Sequence, residues 1–283
     1  MPFLTAFPLN PYTLKRPTMQ LITKRFSLLL AATTLLFCAA AQAQNKDFTP
    51  SVGQEGKDVI WVPTPVALVQ KMLDMAKATA NDYVIDLGSG DGVTVINAAK
   101  RGIRALGIEY NPDMVEHAKR NAQKESAAVG GRAEFVQGDI FQTDFSKATV
   151  LTMYLLPSLN LKLRPTILNM KPGTRIVSHA FTMGDWEADQ TDNVEGRTAY
   201  LWIVPAKVDG AWRMEGGDIT FKQTFQKIEG TVGGKAITSA NLRGDTIAFS
   251  ADGREYSGKV TGDRMEGTVK GSTAGKWSAT RAK

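Results

Sequence analysis

The segment Val84-Ile85-Asp86-Leu87-Gly88-Ser89-Gly90-Asp91-Gly92 constrains the fold more than any other part of the chain. A short β-rich run starting at Tyr83 leads into three glycines at alternating positions, and a helical pattern over residues 93–99 follows at once. Strand, glycine turn and helix are the opening half of a parallel βαβ unit. Glycine lets the backbone come close to a ligand there, and a helix N-terminus offers unpaired N–H groups. A nicotinamide-type G-x-G-x-x-G would put its third glycine at position 93, where this chain has Val93. The spacing is D-x-G-x-G-x-G instead. Its acid, Asp86, suits a cationic or amine-bearing ligand and would repel a pyrophosphate.

The rhythm continues on both sides of this turn. Thr64-Pro65 reads as a helix start, with Thr64 as N-cap and Pro65 at the first helical position, before Val66, Val69, Met72, Leu73 and Ala76 at helical spacing. A second strand covers residues 105–108, Asn111-Pro112 opens a helix reaching about Ala127, and a third strand covers 134–136. A fourth strand is expected over 149–154, a helix over 161–170 ending at Pro172-Gly173, and a fifth strand over 174–177. Residues 200–204 read as a terminal sheet strand. The expected fold class is therefore α/β, a doubly wound and mostly parallel sheet, over residues 44–205.

From about Ala206 the pattern changes. Residues 206–283 hold 13 of the 26 glycines and no proline, and short alternating runs replace the helices. Turn signals at Gly233-Gly234, Gly244-Asp245, Asp252-Gly253 and Gly262-Asp263 separate them. A small antiparallel all-β module of five to seven strands, a barrel or a sandwich, is expected.

The whole chain carries 34 Lys+Arg against 28 Asp+Glu, a formal +6. Four of those cations, Lys15, Arg16, Lys24 and Arg25, lie in residues 1–43, which contain no acid. An apolar run over 26–41 follows them and ends in Ala41-Gln42-Ala43, the layout of a secretory signal peptide with cleavage near Ala43 and a start possible at Met19. The run is short of the roughly 20 residues of a spanning helix, so no membrane span is expected after cleavage. Export to the periplasm or cell envelope is the expectation. The remaining +2 divides into −2 for residues 44–205 and +4 for 206–283. The only cysteine, Cys38, leaves with the signal, which excludes disulfides, zinc–thiolate sites and a cysteine nucleophile from the mature chain. His117 and His179 are too few and too distant for a metal site, and no aromatic–basic interleaving marks a nucleic-acid groove.

Two further acids stand at successive strand ends. Glu109 follows the second strand, where doubly wound folds set an acid against ribose hydroxyls, and Asp139, in Gly138-Asp139-Ile140, follows the third. With these residues the chain resembles the class I (seven-β-strand, Rossmann-like) S-adenosylmethionine-dependent methyltransferases. It is similar within them to the mitochondrial lysine methyltransferases of the ATP synthase c-subunit and adenine nucleotide translocase, and to their bacterial relatives. Trp61-Val62-Pro63-Thr64-Pro65, the 86–92 loop, Ala98-Ala99-Lys100-Arg101-Gly102 and Gly107-Ile108-Glu109-Tyr110-Asn111-Pro112 carry that similarity, over roughly 57–182. The β module lies outside it.

The resemblance implies S-adenosyl-L-methionine as cofactor, held by Asp86, Gly88, Ser89, Gly90, Gly92, Glu109, Tyr110, Asp139 and Ile140. Asp86 and the glycine loop would seat the methionine part, Glu109 the ribose and Asp139 the adenine amino group. Tyr154, with Thr64 second, is the candidate for the methyl-transfer channel. The implied activity is methylation, N-directed on a protein lysine. An Asp/Asn-Pro-Pro-Tyr/Phe signature is absent, because residues 152–157 read Thr-Met-Tyr-Leu-Leu-Pro. A small-molecule acceptor, or an exported cofactor- or ligand-binding protein that keeps the fold without transfer, are the alternatives. His179, at the end of the fifth strand, could relay a proton or be a hydrogen-bonded structural residue, and Trp186 is expected to pack.

Overall fold

The computed structural model describes residues 48–271 and 274–282. The expected signal segment lies outside the described residues. The described chain holds two sheets, and each follows from its sequence pattern.

The first sheet has seven strands in the order β3-β2-β1-β4-β5-β7-β6. Strands β1 (Tyr83–Leu87), β2 (Arg104–Glu109), β3 (Ala133–Gln137), β4 (Val150–Met153) and β5 (Arg175–His179) run parallel, and β7 (Arg197–Ile203) lies antiparallel between β5 and β6 (Gln190–Val194). Helices α1 (Val66–Met75), α2 (Val93–Lys100), α3 (Pro112–Lys124), the single turn α4 (Ser126–Val129) and α5 (Pro157–Ile167) complete the domain. Helices cover both faces, so the central strands are apolar throughout. Alternation along β1 divides them: Val84 joins a core with Leu73, Val95 and Val115, while Ile85 and Leu87 join the opposite core with Leu163, Ile167 and Trp202.

Local chemistry explains the helix starts. The Asn111 side chain accepts from the Asp113 and Met114 amides, and Pro112 sits in the first turn of α3, as the dipeptide predicts. This helix stops at Lys124, and the residues toward Ala127 form the separate turn α4. At α1 the expectation fails. Pro65 holds the N-cap position with no side-chain cap bond, and the Thr64 hydroxyl is engaged elsewhere, by the His179 ring. Helix α5 starts four residues earlier than expected, because Leu156 is extended and Pro157 supplies the preset φ of a first turn.

Two elements carry no strong signal. β6, Gln-Thr-Asp-Asn-Val, is polar and largely exposed at the sheet edge, where little apolar patterning is required. Glu195 (φ +52) and Gly196 (φ +79) form its tight turn into β7, with the positive φ pair of a type I′ hairpin.

The last strand of this sheet ends at Ile203, and the next strand, β8 (Gly210–Met214), belongs to the second. That sheet has nine antiparallel strands rather than five to seven, in the order β11-β10-β9-β8-β16-β15-β14-β13-β12. The additional members are β8, β10 (Lys227–Val232) and β16 (Gly275–Arg281), whose glycines and charges weaken the alternation. β9 (Ile219–Thr224), β11 (Lys235–Ala236), β12 (Thr238–Arg243), β13 (Thr246–Ala251), β14 (Arg254–Thr261) and β15 (Arg264–Lys270) coincide with the runs seen in the sequence. The ends of the order, β11 and β12, are consecutive in the chain, so the sheet curls nearly closed around one core containing Trp212, Phe249, Tyr256 and Trp277. Trp277 lies across the facing pair Gly258 and Gly267, where a Cβ on either residue would strike the neighbouring strand's backbone. Among the described residues no helix is long and apolar enough to cross a membrane, and no group of three or more His, Cys, Asp or Glu could hold a metal ion.

Candidate active site

A cavity of about 630 Å³ opens at the carboxyl ends of β1, β2 and β4 and is roofed by residues 54–64. That is the place where open α/β sheets hold ligands, and the size suits a nucleoside-sized ligand.

Asp86 forms its floor. It pairs in register with Gly107 on β2 and Thr152 on β4, and the Thr152 hydroxyl donates to it at 2.7 Å. The side chain is only 6% exposed. Burial pushes its carboxyl up to about 7, against the pull of hydrogen bonds from Thr152 and Thr94, and the neighbouring Asp91 and Glu109 charges push the same way. This is a buried acid that lacks a cation.

The glycine turn follows. Gly88 and Gly90 have φ of +72° and +52°, and both line the cavity. At Gly90 a Cβ would stand 2.6 Å from the Trp61 indole nitrogen, so the absence of a side chain lets the roof close on the turn. Ser89 contributes backbone to the cavity, while its hydroxyl is buried over Gly107 without a hydrogen-bond partner among the described residues. Gly92 departs from the expectation and is absent from the lining. It caps α2 at φ +83°, and a Cβ there would meet the Phe135 ring at 2.7 Å, so its role is close packing of helix against sheet.

Glu109 is braced by backbone. Its two oxygens accept from the Gly90 amide at 3.0 Å and the Asn111 amide at 2.9 Å, which ties the glycine turn to the start of α3. Tyr110 and Ile140 lie on the same wall. Asp139 also lines the cavity, but its carboxylate already has partners: the Phe141 amide at 2.9 Å and the Lys57 ammonium at 2.6 Å. The hydrogen bond from Lys57 holds the Asp139 carboxyl below the usual range. Lys57 also sits 4.6 Å from the centre of the Tyr110 ring, so the roof is clasped across this end of the cavity. The expectation that Asp139 stands free for an adenine amino group is corrected to that extent.

The other end of the cavity is aromatic. Tyr154 stacks on His179 with centroids 3.8 Å apart and on Phe181 at 6.0 Å. Thr64 reaches the same group, its hydroxyl 3.1 Å from His179 Nδ1. Burial pushes His179 down to about 4, with Arg197 adding to the effect, so the ring is neutral and holds Tyr154 and Thr64 in place rather than carrying charge. His179 itself is outside the cavity lining. His117 is distant, bonded to the Phe48 carbonyl, and Trp186 is buried in the core.

Sequence reasoning missed Lys57, Asp91, Thr94 and Phe181 as cavity residues. The alternation of β1 could have flagged Thr94, because the helix after the turn must start over the Asp86 face. Nothing local marks Lys57 or Phe181, which arrive from a roof and a loop.

Parallel sheet, left-handed glycine turn and strand-end acids together define a Rossmann-like methyltransferase domain. The model of the ANTKMT methyltransferase domain matches residues 86–190. The protein-lysine N-methyltransferase of Saccharolobus islandicus is 41% identical over 153 residues, 52% of this chain and 94% of that protein. The human lysine N-methyltransferase of the ATP synthase c-subunit is 29% identical over 46% of this chain, which spans only 54% of that relative. A crystal structure of an RNA methyltransferase from Salinibacter ruber with S-adenosyl-L-homocysteine shares 48% identity at a TM-score of 0.50, covering 52% of this chain and 96% of that one. The chain belongs to the S-adenosylmethionine-dependent methyltransferase family that these relatives and the ANTKMT domain represent. Its cofactor is S-adenosylmethionine, and the residues fit: a buried carboxylate for an amine, braced Glu109 at the second strand end, and a turn whose glycines leave room.

The Asp86 carboxyl should leave a signature in stability. Between about pH 4 and pH 7 the unfolded chain has released this proton while the folded protein keeps it, so rising pH erodes stability across that window and the loss is complete above it. Asp86→Asn removes the slope. The variant is expected to gain on the wild type by roughly a few kcal/mol in urea unfolding at pH 8 relative to pH 4. Parallel profiles for the two proteins would show that Asp86 ionises normally.

Proposed function

We propose that this methyltransferase acts on a lysine side chain of a protein, with the cavity bound as follows. Asp86 and the 88–90 turn take the amine-bearing methionine part, Glu109 the ribose hydroxyls, and Tyr110, Asp139 and Ile140 the adenine. Once bound, the cofactor supplies an electrophilic methyl group on a sulfonium. The observation that carries the reading is the aromatic wall of Tyr154 and Phe181 at the end of the cavity remote from Lys57. A lysine amine must enter neutral and leave more cationic in character. An apolar channel disfavours the charged form on entry, and aromatic faces attract the alkylammonium product. Tyr154 and Thr64, fixed by neutral His179, line the path and align the acceptor. Positioning of this kind is a principal source of acceleration in a displacement that needs no strong acid.

A protein acceptor is favoured over RNA by the surroundings of the mouth. Ile60, Val62 and Leu156 line the cavity and are 61%, 38% and 41% exposed, an apolar rim. Residues 44–205 carry a net −2, whereas phosphate binding calls for concentrated positive charge. The names of the Saccharolobus and human relatives give lysine as their acceptor and support the same reading.

Purified protein given methyl-tritiated adenosylmethionine and cell-envelope protein from a strain lacking this gene should yield methyl-lysine on hydrolysis. Label recovered only in RNA or in small molecules would overturn the lysine reading. In calorimetry, Glu109→Ala should weaken adenosylhomocysteine binding by about 1–3 kcal/mol, through loss of charged hydrogen bonds and of the brace on Gly90. Unchanged affinity would remove Glu109 from the ribose site.

We also propose export, with 1–43 as a cleaved signal, on the strength of its basic start, apolar run and small-x-small end. Terminal sequencing of protein from fractionated cells should begin near Gln44 in the envelope fraction. Intact Met1 or Met19 in cytoplasmic protein would end that proposal.

A further inference from the structure

The β module has no assigned role, and the Saccharolobus relative, 94% of which is matched by 153 residues of this chain, has no room for one of this size. We propose that the module is an internal brace for the acceptor wall of the active site, with Phe225 as its positioning residue. This rests on the methyl-transfer reading of the cavity.

The turn between β9 and β10 consists of Phe225 and Gln226, flanked by the pair Thr224 and Lys227. Phe225 has φ +54°, a conformation that a bulky L-residue rarely adopts and that needs a compensating contact. The contact lies in the other sheet's domain. The Phe225 ring stacks on Trp186 at 5.8 Å with planes 18° apart, and the Arg164 guanidinium of α5 lies 5.3 Å from the ring centre. The adjacent residues extend the joint: Gln226 donates to the Glu187 carbonyl at 2.9 Å, and Lys227 pairs with the Glu187 carboxylate at 2.7 Å. The turn is itself held rigid. The Gln223 amide donates to the carbonyls of Phe225 (2.7 Å) and Ala206 (2.9 Å) and accepts from the Val208 amide (2.7 Å).

What Phe225 presses on is the connection between β5 and β6, residues 180–189, and that connection carries Phe181 into the cavity. Arg164 binds the Met183 carbonyl at 2.8 Å and the Asp185 carboxylate, Trp202 binds the Trp186 carbonyl at 2.8 Å, and Met183 and Trp186 form a tight bridge. Asn160 of α5 holds the carbonyls of Phe181 (3.3 Å) and Thr182 (3.1 Å). The chain of contacts therefore runs from Phe225 to Trp186, through the 183–186 bridge to Phe181, and from Phe181 to Tyr154. None of these residues meets the cofactor end of the cavity, where Asp86 and Glu109 stand. The brace acts on the acceptor side alone.

The test uses the full chain with Phe225→Ala, and Phe225→Tyr as the conservative control. A stacked aromatic pair is worth enough that its loss should speed hydrogen exchange in 181–186 by about three- to tenfold, leaving the 88–93 turn unchanged. Transfer of tritiated methyl groups to envelope protein should fall by about tenfold from loosened alignment. Adenosylhomocysteine affinity should stay within about twofold, because a contact so far from that end does not couple. Phe225→Tyr should restore both exchange and transfer. Unchanged exchange in 181–186, or transfer lost only in step with cofactor affinity, would overturn the proposal. If wild-type protein labels nothing, the methyl-transfer reading fails by itself, and the exchange contrast between 181–186 and 88–93 still decides whether the brace exists.

Discussion

A carboxylate buried at the end of β1 governs the rest of the site. Asp86 cannot be ionised there cheaply without a cation, and the protein supplies none; it offers two threonine hydroxyls instead. The unliganded protein therefore holds a weakly acidic group poised near neutrality, and a bound ammonium is what completes it. Everything close by serves that arrangement. Thr152 is fixed opposite by strand register, the glycine turn bends away so the carboxylate faces a cavity, and the α2 start places Thr94 above it. The price is stability in the free protein, a familiar cost at functional sites.

The two ends of the cavity are finished by different means. At the Asp139 end an exposed ion pair with Lys57 clasps the roof, and such pairs are screened by salt and contribute little, so a ligand can displace this one. At the Tyr154 end the surfaces are aromatic and packed, with a neutral imidazole as the filler between Tyr154 and Thr64. A charged histidine there would need a counter-ion and would repel the cationic sulfonium nearby; burial and Arg197 both keep it neutral.

The sequence made legible whatever depends on neighbours in the chain. Asn111 and Pro112 announce α3 because cap and first turn lie within a few residues, and the 88–92 glycines announce a turn because only their φ values permit it. Asp86, Glu109 and Asp139 could be placed together because parallel strands bring their carboxyl ends to one edge. What stayed hidden depends on distant partners. Thr64 carries the pattern of a cap, yet His179, 115 residues away in sequence, claims its hydroxyl. Asp139 carries the pattern of a free ligand acid until Lys57 is folded over it. Phe225 sits in a turn with neither glycine nor asparagine, and its reason, Trp186, belongs to another sheet.

That last pairing bears on how a family domain can be extended. The acceptor wall is made of Phe181 and Tyr154, one on a ten-residue connection and the other just past β4, neither within a helix or strand. Loops are the mobile part of such folds, whereas aligned displacement needs its walls fixed to well under an ångström. The cofactor end has its rigidity built in, since β1, β2 and the backbone-braced Glu109 are parts of the sheet. Rigidity on the acceptor side has to be imported. Arg164 and Asn160 of α5 provide part of it, and the hairpin of an appended β module, stiffened by Gln223, packs against the remaining open face of Trp186. An extension of this kind leaves the cofactor chemistry untouched and acts only where acceptors differ, which is the side on which a methyltransferase has to change when it takes a new substrate.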